Sequence, residues 1–133
     1  MTHLDTSFLI AALEGRPREL AWMDAAAAGA ASLAISAIAW CEFLCGPLRP
    51  GQERDARALL GEPVAFTEAD AALAATLYNQ GGRRRGSLPD CQIAAVAIRS
   101  GAGLATPNPR DFARFTAAGL RLATEAHPGR ADP

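Results

Sequence analysis

Four acidic side chains, Asp5, Glu42, Asp90 and Asp111, occupy places in this chain where an acid needs a reason. Glu42 is the plainest of them, the only charge between Ser36 and Leu48, with Ile38, Ala39, Cys45 and Gly46 as its uncharged helical neighbours. A carboxylate on such a face should bind a cation, meet an Arg from elsewhere or stay protonated. Each acid also has an ordinary structural explanation. Asp5 can cap a helix, Glu42 can pair with a buried Arg, and Asp90 and Asp111 can favour helix starts through the peptide dipoles. Together they suit a different chemistry. Hydrolysis of a phosphodiester with two divalent ions about 3.5 to 4 Å apart needs three or four hard oxygen ligands and no lysine.

Composition narrows the field in the same direction. All 13 basic residues are Arg, and the only histidines are His3 and His127. A phosphatase of the haloacid-dehalogenase kind would want a second Asp where Ser7 stands, and a lysine; a receiver domain would also want a lysine. A metal-free ribonuclease would need acid-base groups near neutral pKa, which two scattered histidines do not supply. Cys41, Cys45 and Cys91 form no CxxC pair and point to neither a disulfide framework nor a zinc site; Cys41 and Cys45, one helical turn apart, read as core. The net charge of -1 advertises no global nucleic-acid surface, so a charged site must be local. No signal peptide is visible at MTHLDTS, and the uncharged run from Ala25 to Cys41 is too rich in Ala to span lipid. A soluble, cytoplasmic protein is expected.

The elements that must position the acids alternate. Thr2 to Leu4 predicts a strand ending at Asp5-Thr6-Ser7, followed by a helix from Phe8 to Leu13 and another over Arg18 to Ala28. A strand at Leu33 to Ile35 precedes a helix capped by Ser36 and stopped by Gly46-Pro47. Glu53 to Leu60 reads as helix, Val64 to Phe66 as strand, and Thr67 as the cap of a helix from Glu68 to Gln80, with Asp70 in the place where a capping box more usually carries a longer acid or amide. A helix from Pro89 to Ser100, a strand at Leu104-Ala105, a short helix from Arg110 to Phe115 and a strand at Leu120 to Ala123 complete the pattern. This predicts an α/β, three-layer sandwich with a short, mostly parallel sheet of four or five strands covered by helices. One domain over residues 1–125 and a loose tail over 126–133 are expected. Asp5, Asp90 and the loop from Thr106 to Asp111 then share the rim beyond the carboxyl ends of the strands, where such folds place their sites. Between glycines, Arg83, Arg84 and Arg85 form a basic loop beside Asp90, suited to RNA phosphates or simply a solvated turn.

The segments LDTSFLI, AWCEF, PDCQIAAVAI and TPNPRDF, in this order and spacing, resemble the motifs of PIN-domain ribonucleases over nearly the whole chain, and its length resembles the single-domain VapC toxins of toxin-antitoxin pairs. The resemblance implies a pocket in which Asp5, Glu42, Asp90 and Asp111 hold Mg2+ or Mn2+ and cut RNA. It assigns Ser7 to the pocket wall, and Thr106 and Asn108 to orienting the last acid and bound water. It also implies a small antitoxin as partner and a homodimer. A PIN-type nuclease of RNA processing without a toxin role, or an inert binding module of the same fold, are the alternatives.

Overall fold

The computed structural model describes residues 1–123, so the expected tail over 126–133 lies outside the described residues. Strand β1 (Thr2–Leu4) leads into helix α1 (Thr6–Leu13) and then α2 (Pro17–Ala28). Strand β2 (Leu33–Ala34) is followed by α3 (Ala37–Cys45), α4 (Gln52–Leu60), α5 (Glu68–Gln80) and α6 (Leu88–Arg99). The chain then forms β3 (Gly103–Ala105), α7 (Pro109–Phe112), a 3-10 helix (Ala113–Ala118) and β4 (Arg121–Leu122).

All pairings are parallel and the strand order is β2-β1-β3-β4. The chain therefore leaves β1 toward one edge, to β2, and returns past it to β3 on the other side. Such a reversal makes a crevice at the carboxyl ends of the two strands that flank it. Here those strands are β1 and β3, in the register His3 to Leu104 and Leu4 to Ala105. The backbone continues the pairing one step past β1, with the Asp5 N–H donating to the Ala105 carbonyl at 2.9 Å.

Helix α6 is the core's central rod. Ile93, Ala94, Ala95, Val96 and Ala97 are buried in succession, so its middle is apolar all round, as a helix packed on α5, α3 and β3 must be there. Its alanines bury little area but let neighbours approach closely, while Leu4, Leu9, Ile35, Phe43, Leu104, Phe112 and Phe115 fill the remaining volume. A polar clamp between buried Asp70 and exposed Arg99 ties α5 to α6. Arg99 donates to Asp70 at 2.6 Å and to the Ala65 carbonyl, while Asp70 also accepts the Thr67 N–H at 2.9 Å. Thr67 returns the bond by accepting the Asp70 N–H, so the shorter acid does complete the capping box at this helix start.

Three expectations need correction. Val64 to Phe66 is no strand of the sheet: only Val64 bridges, to Ser36, because Pro63 has no N–H to donate and Ser36 turns at once into the start of α3. Cys41 and Cys45 are exposed, since α3 buries the stripe of Ala39, Trp40 and Phe43 and leaves their side of the helix in solvent. The helix expected over Arg110 to Phe115 divides into α7 and the 3-10 helix. Among the described residues no helix is long and apolar enough to cross a membrane.

Candidate active site

Asp5 stands at the N-cap position of α1, yet its side chain makes no capping hydrogen bond. Its Oδ2 instead accepts the Thr106 hydroxyl at 2.9 Å, across the crevice between β1 and β3. The carboxyl is buried, and burial pushes its pKa up to about 6 from 3.8. The charges of Asp90 and Glu42 push the same way, while the Thr106 hydroxyl and the Thr6 backbone N–H pull it down. An acid held out of water, clamped by a distant hydroxyl and facing like charge is poorly explained as a helix cap.

Asp90 lies in the first turn of α6, half-buried behind Pro89. Burial raises its pKa, Asp111 and Glu42 add to the rise, and Arg114 and Arg84 oppose it. The four acids of the sequence thus act on one another from four separate segments: Asp5 feels Asp90 and Glu42, and Asp90 feels Asp111 and Glu42.

Glu42 differs from expectation. Its side chain is exposed rather than desolvated, because α3 presents it on the edge opposite the buried stripe. Among the described residues it has no Arg partner; its Oε1 accepts the Thr6 hydroxyl at 3.1 Å. The same buried hydroxyl lies 3.2 Å from the Ala39 carbonyl, so its one proton is shared between two acceptors on α3 and ties the start of α1 to that helix. Asp111, in α7, is exposed too, and its N–H donates to the Asn108 carbonyl at 3.1 Å. Among the other described acidic residues, Asp70, in the clamp described above, and Glu19, in the first turn of α2, are buried. Although burial alone would raise the Asp70 pKa, the bonds from Arg99 and Thr67 outweigh it and hold the carboxyl below its usual range.

The supporting residues are also rearranged. Thr106 binds the first acid, Asp5, where the resemblance implied the last; its oxygen also accepts the Asn108 N–H at 3.1 Å. Ser7 is exposed and lines, with Asn108, a neighbouring cleft. Thr6, its neighbour, makes the contact with a pocket acid, and nothing in the sequence distinguishes the two hydroxyls. Arg114 was also missed. It lies three residues after Asp111, a spacing that shares a helical face, with its guanidinium 4.5 Å from the Phe115 ring. In the basic loop, Arg83 donates to Asn79 at 3.1 Å and lies 5.7 Å from the Tyr78 ring, while Arg84 and Arg85 are exposed.

The donor set is that of a hard cation: oxygen ligands in excess, net negative, around a partly desolvated centre. As placed, no three His, Cys, Asp or Glu side chains among the described residues stand close enough together to hold an ion. Carboxylate oxygens are nevertheless the type of donor that a hard divalent cation takes.

No curated protein sequence matches the chain significantly. Solved structures do. A chain of VapBC2 from Rickettsia felis, bound to a DNA fragment from their promoter, aligns with TM-score 0.72 at 22% identity, covering 91% of this chain and 96% of that one. A chain of a toxin-antitoxin complex from Klebsiella pneumoniae aligns with TM-score 0.67 at 27% identity, covering 85% and 91%. VapBC-1 from nontypeable Haemophilus influenzae gives 0.68 at 22% identity, covering 91% and 95%. The parallel sheet with its acid-lined switch point accords with the match of residues 3–118 to the PIN domain, and the chain belongs to that family.

Proposed function

We propose that the chain is a divalent-metal-dependent endoribonuclease and the toxin of a toxin-antitoxin pair. The observation that carries the reading is Asp5: buried at the carboxyl end of β1, held by Thr106, and pushed up to about 6 by burial with Asp90 and Glu42 adding to it. Repelling carboxylates are costly to keep together without a cation, and a strongly perturbed acid at a topological switch point is a candidate for chemistry.

Asp5, Glu42, Asp90 and Asp111 would hold Mg2+ or Mn2+. When bound, such an ion lowers the pKa of an attacking water and offsets charge on the leaving 3'-oxygen. Thr106 fixes the direction of the Asp5 lone pairs, and Thr6 does the same for Glu42. Arg114 and Arg84, which already act on Asp90, offset the acids as an anionic strand arrives. Arg83, Arg84 and Arg85 contact its phosphates from the loop before α6.

The toxin role rests on similar chains found in toxin-antitoxin complexes, and an antitoxin partner goes with it; a homodimer is what the family resemblance implies. Expression of the chain alone is expected to arrest growth with breakdown of cellular RNA, and Asp5→Asn to relieve both. Arrest with intact RNA would overturn the nuclease reading; RNA cleavage without arrest would favour a role in RNA processing.

A further inference from the structure

Beside the acid rim lies a cleft of about 360 Å3 whose walls are Ile10, Ala11 and Pro107, with Ser7 and Asn108 at the edge and Glu19 among its lining. Glu19 is the unusual member. Only 8% exposed, it has no hydrogen-bond or ion-pair partner among the described residues. Glu14 and Arg16 also line the cleft and pair with each other at 3.5 Å, and Arg16 makes no ion pair with Glu19. The peptide dipoles at the start of α2 favour an acid there, but a surface position would serve them equally well. With its stem buried and its carboxylate open to the cleft, without a hydrogen-bond or ion-pair partner among the described residues, Glu19 is placed to accept donors from something that enters.

The cleft is linked to the acids by a short chain of bonds. The Asn108 N–H donates to the Thr106 hydroxyl oxygen, and that hydroxyl donates to Asp5. A residue seated in the cleft would adjoin the strand being cut. The apolar part of the lining, Ile10, Ala11 and Pro107, suits the faces of a planar ring, and a carboxylate has two acceptor oxygens and no donor. Among the four bases, guanine alone offers two adjacent donors, N1–H and N2–H, on its Watson–Crick edge, the edge by which unpaired bases are commonly read in single-stranded RNA. Adenine and cytosine set an acceptor beside their donor, and uracil sets acceptors on both sides of its own.

We infer that this cleft is a base-specificity subsite in which Glu19 reads a guanine next to the scissile phosphate. The inference rests on the nuclease reading above and adds to it the substrate feature that the enzyme selects.

Cut sites in a pool of random-sequence RNA oligonucleotides, incubated with Mn2+ and sequenced, should show guanine enriched at one position adjoining the cut. Replacing that guanine by inosine, which lacks the N2 amino group, should lower kcat/KM by about ten-fold in the wild type. Glu19→Gln should remove that penalty, and so should Glu19→Asp, which keeps the charge but shortens its reach. Absence of a guanine preference, or a preference retained in both variants, would overturn the inference while leaving the nuclease reading intact.

Binding separates the two ideas further. Fluorescence anisotropy with Asp5→Asn protein should give tighter binding to the guanine oligonucleotide than to its inosine twin, and Asp5→Asn/Glu19→Gln should abolish the difference. That result without cleavage by the wild type would support the subsite and sink the nuclease reading. If Glu19 governs binding of a short arginine-containing peptide but not of RNA, the cleft serves a protein partner and the base-reading inference fails.

Discussion

The Thr106 hydroxyl donates to Asp5 Oδ2 at 2.9 Å, joining residues 101 positions apart in the chain. Parallel pairing of β1 with β3 brings the carboxyl ends of the two strands side by side, so this bond stands at the fold's switch point. Thr106→Val keeps the shape and removes the donor. The cost in stability should be about 1 kcal/mol, and activity should fall about ten- to a hundred-fold, as for other residues that orient a metal ligand. The Asp5 pKa would rise further, because Thr106 now pulls it down. The acid limb of the rate profile should therefore move to higher pH, and Thr106→Ser should restore it. An unchanged profile would make Thr106 a packing residue.

The pKa of Asp5 also sets a sign for stability. Its native value of about 6 lies above the ordinary 3.8, so between these values the folded protein holds more protons than the unfolded one, and stability falls as pH rises. Asp5→Asn removes that fall. The variant should match the wild type near pH 4 and exceed it by up to about 3 kcal/mol once pH passes the native value. His3 works the other way. Burial, the N-terminal charge and Arg99 lower it to about 4, so stability is lost as pH falls from 6.5 toward 4, and Asp5→Asn should expose this limb. Paired melts across this range check both signs; a variant weaker than wild type at every pH would return Asp5 to a capping role.

Glu42→Gln tests whether that acid serves the site or the fold. Because Glu42 is exposed and has no Arg partner among the described residues, neutralising it strands no buried charge, and a Gln oxygen can still accept the Thr6 hydroxyl. Apo stability should change by less than about 0.5 kcal/mol. The rise in Tm on adding Mn2+ should shrink, and cleavage should be lost. A large apo loss with the metal response intact would remove Glu42 from the site.

The basic loop makes a separable prediction about RNA affinity. Replacing Arg83, Arg84 and Arg85 together by Gln should flatten the salt dependence of binding by about 0.7 in log-log slope for each single-strand phosphate that is no longer neutralised. Arg83 is already engaged with Asn79 and Tyr78, so Arg84 and Arg85 should account for most of the change. An unchanged slope would make the loop a solvated turn.

Much of this architecture is legible in the sequence because short-range signals carry it. Ser36 caps α3 and Thr67 caps α5 as their positions suggest, and the strands Thr2–Leu4 and Gly103–Ala105 lie where apolar runs meet turn residues. Burial of individual acids is less legible, since it depends on which face of a helix meets its neighbour. Glu42 looks isolated in an apolar stretch yet sits on the solvent edge of α3, while Asp70 and Glu19 look ordinary and are buried. Partners across the chain were beyond reach for the same reason. Only the sheet order puts Thr106 on Asp5, and only the packing of α1 on α3 puts Thr6 on Glu42.

Cleavage of an end-labelled RNA by purified protein, with Mn2+ and with excess chelator, tests the central claim most directly. The account predicts cutting only with metal, products bearing 5'-phosphate and 3'-hydroxyl ends because water attacks, and no cutting by folded Asp5→Asn or Asp90→Asn. Full activity in chelator, a cyclic phosphate end, or undiminished cutting by either variant would contradict it.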